Sequence, residues 1–431
     1  MEPPPMTKGP TVAVVEWNWG GHHPEFFSHC VSSLGACGAV VVPFVSEASK
    51  CMEVLGPCFQ AGGPGGAGWL LRPSEFVPSR LWRFRPSRSL ALHFRARSTF
   101  QRLGAALSDW ETVNGMRVDL VYFACMYDDD FPRAELVSRG LGRPWSGLYL
   151  QGRVFHRLRG SPEHRMARRA RGMFRSPALV ALGVLEPWML TLISKASSDV
   201  NAREFPDNVG TIPRLDTPAG LRLREEMRSR AAGRPIVSLL GHLKPSKGVE
   251  LFLRVACSTE MQDVAFFLGG EMRLKDFDPA IRGRIQELLQ RAPHLQRCPG
   301  RLGDDVFHAA IAASDLIFCA YVDFPHSSNI QGKAALFHRP TIVTEGTLMA
   351  ERCRAYRLGE CILENDLDDA IGSIRRLLSS AKEWQADLEG RRLRETFVAL
   401  NGSGALADAM SWVLASHARR CVGVPSPRLT S

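Results

Sequence analysis

No two of the eleven cysteines stand at the CxxC spacing of a zinc ribbon or a redox motif. They are scattered from Cys30 to Cys421, a usage that predicts small buried thiols in a reduced, cytoplasmic protein and no structural zinc. No apolar run is long enough to span a bilayer, since the longest, 178–193, is interrupted by Glu186-Pro187. Residues 1–10, with Pro3-Pro4-Pro5, carry no apolar core and read as a disordered leader rather than a signal peptide. The chain shows no short internal repeat and no recognised nucleic-acid-binding fold pattern, and its strand-turn-helix loop at Gly241 to Gly248 is neither a P-loop nor a GxGxxG. Acidic charge is the scarcer sign. The 44 Asp and Glu face 54 Lys and Arg, and the formal charge of +10 favours an anionic partner such as a nucleotide, a nucleic acid or an acidic membrane.

What is present is the composition of a folded protein, 45% apolar and 23% charged, in a chain of 431 residues that predicts two or three domains. One stretch is especially informative. Pro235-Ile236-Val237-Ser238-Leu239-Leu240 is an apolar run that ends at Gly241; His242 to Gly248 form a polar loop, and Val249-Glu250-Leu251-Phe252-Leu253 opens a helical pattern. A parallel strand feeding a turn and a crossover helix has this form. Lys244 and Lys247 place positive charge beside the helix start, where a phosphate would be held, although solvated loop lysines fit the pattern as well. A second unit of the same kind begins at Thr11 to Val15, turns through Glu16-Trp17-Asn18-Trp19-Gly20-Gly21-His22-His23-Pro24 and enters a helix over Glu25 to Leu34.

Further strands are expected at 40–45, 118–124, 145–150, 264–268, 316–319 and 340–343, with Val209 to Pro213 closing the first half. Helices are expected at 249–257, 280–291, 304–313, 331–338, 367–379 and 405–417. The fold class that follows is α/β, with two doubly wound Rossmann-like domains facing across a cleft and ligands at the C-terminal strand ends. The expected division is 11–213 for an acceptor-side domain and 214–404 for a donor domain. Residues 405–431 are a closing helix that packs back toward the first domain, plus a tail.

On these residues the chain resembles a GT-B glycosyltransferase of the family-4, or glycosyltransferase group 1, type. The family's glycine-arginine and lysine-glycine loop, which grips a donor diphosphate, falls on Gly241 to Gly248, with Lys247 and Gly248 matching and His242 standing in place of the arginine. Arg297 to Leu302, with Arg301, falls where the family frames the base, and Ala312 to Phe318 resembles its alanine-aspartate helix end. Its two donor-loop glutamates, eight positions apart, fall on Pro325 and Lys333. Ser327, Ser328, Asn329 and Lys333 remain in that loop, a set suited to phosphate. Gly20 and Gly21 resemble the glycine-rich first loop that approaches donor and acceptor.

The resemblance implies a retaining, metal-independent transfer from a nucleotide-diphosphate sugar, a co-substrate, with no other cofactor and no metal site. Its acceptor would be a glycan or a lipid-linked sugar. His22 and His23, at the mouth of the glycine turn, are candidates to polarise the acceptor hydroxyl or simply to cap a helix. Asp128, within Tyr127-Asp128-Asp129-Asp130, is a candidate to orient that hydroxyl, or part of a solvated turn. Glu271, after Leu268-Gly269-Gly270, is placed to face the donor; Glu186 is a weaker candidate. The arginine-rich segments 80–102 and 153–175 read as solvated faces, or as a surface for anionic lipid or polysaccharide; nucleic acid is disfavoured. Two rivals stand beside the transferase reading: a catalytically silent GT-B assembly subunit and a nucleotide-sugar epimerase, the latter opposed by the missing glutamates.

Overall fold

The computed structural model describes residues 9–18, 23–46, 55, 69–70, 85–128, 131, 133–150, 155, 163–197, 200–207, 209–210 and 215–422, with the backbone alone at 69–70, 85–92, 163–167 and 196. The chain forms two compact units, residues 1–206 with 403–431, and residues 207–402.

In the first unit the order is β1 (Thr11–Glu16), α1 (His23–Ala36), β2 (Val40–Val45), β3 (Trp69–Leu70), α2 (Arg85–Asn114), β4 (Leu120–Met126), α3 (Ala134–Leu141), β5 (Trp145–Tyr149), α4 (Glu163–Phe174), β6 (Leu179–Val184), α5 (Pro187–Ala196) and β7 (Ala202–Glu204). The sheet order is β3-β2-β1-β4-β5-β6-β7, with every pairing parallel. Continuous apolar runs form these strands because both faces are covered. Ala13, Val15, Phe123 and Trp145 belong to one core layer with Phe100, Leu103 and Val137 from the helices. Val12, Val14 and Tyr122 belong to the opposite layer with Phe27, Leu34 and the C-terminal segment's Leu406, Met410 and Val413.

The second unit follows with α6 (Pro218–Ala231), β8 (Ile236–Leu240), α7 (Val249–Ala256), β9 (Ala265–Gly270), α8 (Pro279–Arg291), β10 (Leu295–Pro299), α9 (Asp304–Ala313), β11 (Leu316–Cys319), α10 (Asn329–Leu336), β12 (Thr341–Thr344), α11 (Leu348–Ala355), β13 (Gly359–Ile362), α12 (Leu367–Ser379), α13 (Ala381–Ala386) and α14 (Leu388–Leu400). Its six parallel strands run β10-β9-β8-β11-β12-β13. The final helix, α15 (Ser403–Cys421), returns to the first unit, where it packs on α1 and β6. Side-chain caps start several helices: Thr217 Oγ1 accepts from the Gly220 N–H ahead of α6, Asp278 from Ala280 ahead of α8, and Asp366 from Asp369 ahead of α12. In both sheets the strand order reverses beside the first strand, between β1 and β4 and between β8 and β11. Ligands bind at the C-terminal edges of such crossover points.

One expectation needs correction, and two strands are added. The described part of 209–213 is not a strand, because Gly210 lies at φ 78° and breaks the extended run; β7 closes the first sheet instead. Strands β10 and β13 go beyond the strands expected from the sequence, and β10 ends inside the stretch Arg297 to Leu302 that falls where the family frames the base. Both are half-exposed edge strands, so neither reads as a continuous apolar run. Among the described residues no helix is long and apolar enough to cross a membrane.

The second unit's two ends are stitched together. The Asp207 N–H donates to Asn401 Oδ1 at 2.9 Å, the Val209 N–H donates to the Asn401 carbonyl at 2.7 Å, and Arg352 Nη1 lies 2.7 Å from Asp207 Oδ2. Both side chains of that ion pair are about one-tenth exposed, at 10% and 9%. Arg352→Ala would remove the guanidinium from this buried ion pair, and is expected to cost about 3–5 kcal/mol, read by urea unfolding.

Candidate functional site

The loop after β8 is built by close backbone approach. Gly241 lies at φ 106° and Gly270 at φ 136°, and a Cβ on Gly270 would stand 1.8 Å from the Gly241 carbonyl oxygen. The Gly241 N–H donates to the Gly269 carbonyl at 2.9 Å and the Leu243 N–H to the Glu271 carbonyl at 2.8 Å, so the loop continues the ladder beyond β9. On its other side the Val322 N–H donates to the Ser246 carbonyl at 3.1 Å. Gly248, at φ 68°, ends the turn of Pro245–Lys247 with its Cα against the Ala320 carbonyl. The loop thus bridges the C-terminal ends of β9 and β11 across β8, at the crossover point.

This packing aims Lys247 at the segment after β11. Its Nζ stands 3.7 Å from the Tyr321 ring centroid and 5.4 Å from that of Phe324. Among the described residues it has no carboxylate partner. The residue keeps intermediate exposure as a whole, but its ammonium is enclosed, and that burial, reinforced by the charge of Lys244, brings its pKa down to about 7. Cys319 lies beside it with its thiol pushed up to about 11 by burial. A cation resting on two aromatic faces without an anion is a ready site for one.

The donor-loop candidates lie next to this cation. Tyr321 Oη is 3.3 Å from Ser328 Oγ, and Ser327 and Ser328 are both buried. Ser328 precedes α10 without a side-chain cap bond. Asn329 Oδ1 and Gln331 Oε1 are buried acceptors without a hydrogen-bond partner, while Gln331 Nε2 donates to the Met349 carbonyl at 2.9 Å. Lys333 is buried, but its Nζ rests 5.5 Å from the Phe307 ring centroid, so the two lysines sit on different rings. Glu271 is exposed and accepts from Arg273 Nε at 2.6 Å. That bond holds its carboxyl below the usual range, with His242 and Arg301 adding weaker positive fields. Both His242 and Arg301 are exposed.

The first unit carries different chemistry at its own crossover point. Glu16, the last residue of β1, is 2% exposed. Its Oε1 accepts the Asn18 N–H at 2.8 Å and its Oε2 lies 3.1 Å from His23 Nδ1. His23 Nε2 in turn lies 3.1 Å from Tyr127 Oη, just beyond β4. Glu16, His23 and Cys125 present donor atoms within 4.8 Å of one another, the arrangement of a three-ligand cation site. Burial and then the charge of Glu16 push the Cys125 thiol well above its ordinary value, and that thiol is hydrogen-bonded to Glu16. Glu16 and His23 thus link the Asn18 N–H, the Cys125 thiol and the Tyr127 hydroxyl in one hydrogen-bonded set. Asp128 is buried and accepts the Tyr149 hydroxyl, which corrects its reading as a solvated turn residue. Burial and the Asp128 charge push the Tyr149 phenol upward. Glu186, 2% exposed, accepts from Trp188 Nε1 at 2.9 Å.

Gly20, Gly21, His22, Asp129 and Asp130 lie outside the described residues, as do Arg80, Arg83, Arg153, Arg157 and Arg159 of the arginine-rich segments. Of the candidates, the structure brings Lys247 and Ser328 together through Tyr321, and it sets Glu271 beside His242 and Arg301. It also adds groups the sequence did not mark: Tyr321 and Phe324 under the lysine, the acceptor of Gln331, and Glu16 behind His23. The one sequence signal among these was an acid closing the otherwise apolar run of β1.

No protein-family model and no curated protein sequence matches the chain. Solved structures match it over nearly the whole length. Sucrose-phosphate synthase from Thermosynechococcus elongatus is 15% identical at a TM-score of 0.64, covering 96% of this chain and 99% of its own. A glycosyltransferase from Rickettsia africae is 13% identical at 0.62, covering 95% and 99%. A trehalose-6-phosphate protein from E. coli, bound with UDP-2-fluoro glucose, is 11% identical at 0.64, covering 94% and 98%. The likeness at these identities is one of fold: the chain has the α/β GT-B fold of two parallel sheets flanked by helices.

The loop geometry sets its own test. Gly248→Ala would put a Cβ 2.1 Å from the Ala320 carbonyl oxygen at φ 68°. It is expected to lower stability by about 1–3 kcal/mol or more in denaturant unfolding, a strain cost at a left-handed position.

Proposed function

We propose that the protein is a glycosyltransferase that moves a sugar from a nucleoside-diphosphate sugar to a hydroxyl of a glycan or lipid-linked acceptor. The observation that carries this reading is the enclosed, carboxylate-free ammonium of Lys247, held on Tyr321 and Phe324 at the crossover point of the second sheet. Departure of a nucleoside diphosphate builds negative charge on its bridging oxygen, and a pre-placed cation beside a helix start stabilises that charge without needing a divalent metal. Lys247, with Lys244 and His242 on the same loop, would hold the diphosphate; Ser327 and Ser328 would add hydroxyl donors. Asn329 Oδ1 and Gln331 Oε1, buried and unpaired, would accept from sugar or ribose hydroxyls, the task of the missing glutamates. The fold shared with a protein bound to UDP-2-fluoro glucose supports a donor of that chemical class. Retention at the anomeric carbon and a place in polysaccharide or glycoconjugate synthesis complete the proposal.

The silent-subunit reading is favoured by one observation, that Lys333 is buried on Phe307 where an acid would engage a sugar hydroxyl. Calorimetry with UDP and GDP separates the two. Binding to wild type, weakened about 10- to 100-fold by Lys247→Ala, is expected from loss of a charged hydrogen bond. With the free lysine's pKa near 7, a bound diphosphate raises it, so binding takes up roughly one proton at pH 8 and about half a proton at pH 7, and affinity falls as pH rises above 7. Buffers of different ionisation enthalpy read that uptake directly. Binding with no turnover on any sugar acceptor would leave the silent subunit, and no binding of any nucleoside diphosphate would sink the transferase.

A lipid-linked acceptor implies work at an anionic surface. Support comes from the formal charge of +10 and from Phe94, 64% exposed, near exposed Arg97 on α2. Vesicles with anionic lipid should retain the protein at low salt and release it as salt rises. Equal retention on neutral vesicles would remove the charge argument.

A further inference from the structure

We propose that Glu16, His23 and Cys125 bind a divalent transition-metal ion, zinc by the chemistry of the set, at the C-terminal edge of the first sheet. The three residues belong to one unit and to three of its elements: Glu16 ends β1, His23 opens α1 and Cys125 is next to last in β4. One donor atom from each lies within 4.8 Å of the other two. Around a tetrahedral zinc, bonds of about 2.0–2.3 Å set neighbouring ligand atoms about 3.4–3.6 Å apart. Glu16 Oε2 and His23 Nδ1, at 3.1 Å, already stand near that spacing, and no pair has to close by more than about 1.4 Å.

Charge points to a cation as well. Glu16 is 2% exposed, and among the described residues no lysine or arginine comes within ion-pair distance of its carboxylate. Cys125 shares an apolar layer with Phe27, Cys30 and Tyr122, where burial and then the Glu16 charge keep the proton on its thiol. A dication at the common centre reverses that balance, because it attracts the carboxylate and displaces the thiol proton. His23 Nε2 lies 3.1 Å from Tyr127 Oη, the kind of outer-shell contact that orients a ligating imidazole. A thiolate ligand disfavours magnesium and calcium, which take oxygen donors, whereas one sulfur, one nitrogen and one oxygen suit zinc. The ion would tie the ends of β1 and β4 to the start of α1. This role goes beyond the glycosyl-transfer reading and does not depend on it, since Lys247 belongs to the other unit.

The bland rival is a hydrogen-bonded cluster that holds no ion. Stripping the full chain with a chelator and then alkylating its reactive thiols should leave Cys125, 4% exposed, unmodified. That protein is expected to take up one equivalent of zinc with a Kd below about 1 μM, and to melt at a higher temperature once loaded. Cobalt in place of zinc should give a thiolate-to-metal charge-transfer band. Cys125→Ser and His23→Gln should each weaken zinc binding by about a hundredfold or more, beyond the roughly 10- to 100-fold typical of outer-shell losses. An affinity unchanged in Cys125→Ser assigns the ion to other groups and overturns the site. So does wild type that takes up no zinc, or that shows no thiolate band with cobalt. The cobalt spectrum needs no variant, and it judges the site even where a substitution prevents folding.

Discussion

The carbonyl oxygen of Ala320 occupies the space that any side chain on residue 248 would need. That single close approach, with its counterpart between Gly270 and the Gly241 carbonyl, lets the ends of three neighbouring strands converge within one loop. Interiors are close-packed and do not stretch to admit an extra methyl group without cost. Because the loop is pinned on both sides, Lys247 has one direction in which to extend, over Tyr321. The enclosure that results lowers its affinity for a proton and raises the value of an incoming anion, two faces of the same desolvation.

The two crossover edges are chemically unlike. The second unit offers cations and unpaired amide acceptors, chemistry for an anionic, hydroxyl-rich ligand. The first offers carboxylates, each tied to a donor: Glu16 to His23, Asp128 to Tyr149, Glu186 to Trp188. Burying an acid is unfavourable unless its oxygens are satisfied, and these are satisfied by phenol, imidazole and indole groups. A carboxylate so held can orient a hydroxyl, and its charge would repel a phosphate. The first edge holds its acids through short hydrogen bonds and the second holds its lysine over two aromatic rings, so each can keep its geometry before a ligand arrives.

Much of this was legible in the sequence. Strands buried on both faces write themselves as unbroken apolar runs, as in Ile236–Leu240 and Leu316–Cys319, and the glycine after β8 with Lys247 beyond it located the loop. Edge strands do not write themselves this way: Leu295–Pro299 and Gly359–Ile362 are mostly half-buried or exposed, carry Gln, Arg, Glu and Cys, and were missed. The site's working contacts were also invisible, because they join residues far apart in the chain. His23 meets Tyr127 across 104 positions, and Lys247 meets Tyr321 only because β8 and β11 are neighbours. A lone acid at the end of β1 gave no sign of the ring it would hold. The charge of Glu271, conspicuous in sequence, turns out to be engaged by Arg273 two residues away.

The first unit's core includes Leu406, Ala409, Met410 and Val413, residues that follow the whole of the second unit in the chain. During synthesis, therefore, residues 1–206 leave the ribosome with an apolar face still uncovered, and wait for nearly two hundred residues before α15 can close it. The second unit has no such debt, since Asp207 and Val209 are bonded to Asn401 at its own far end. Its order of completion is thus reversed relative to the order of translation: the unit begun second is the first able to finish, and truncation anywhere before residue 413 strands the earlier one.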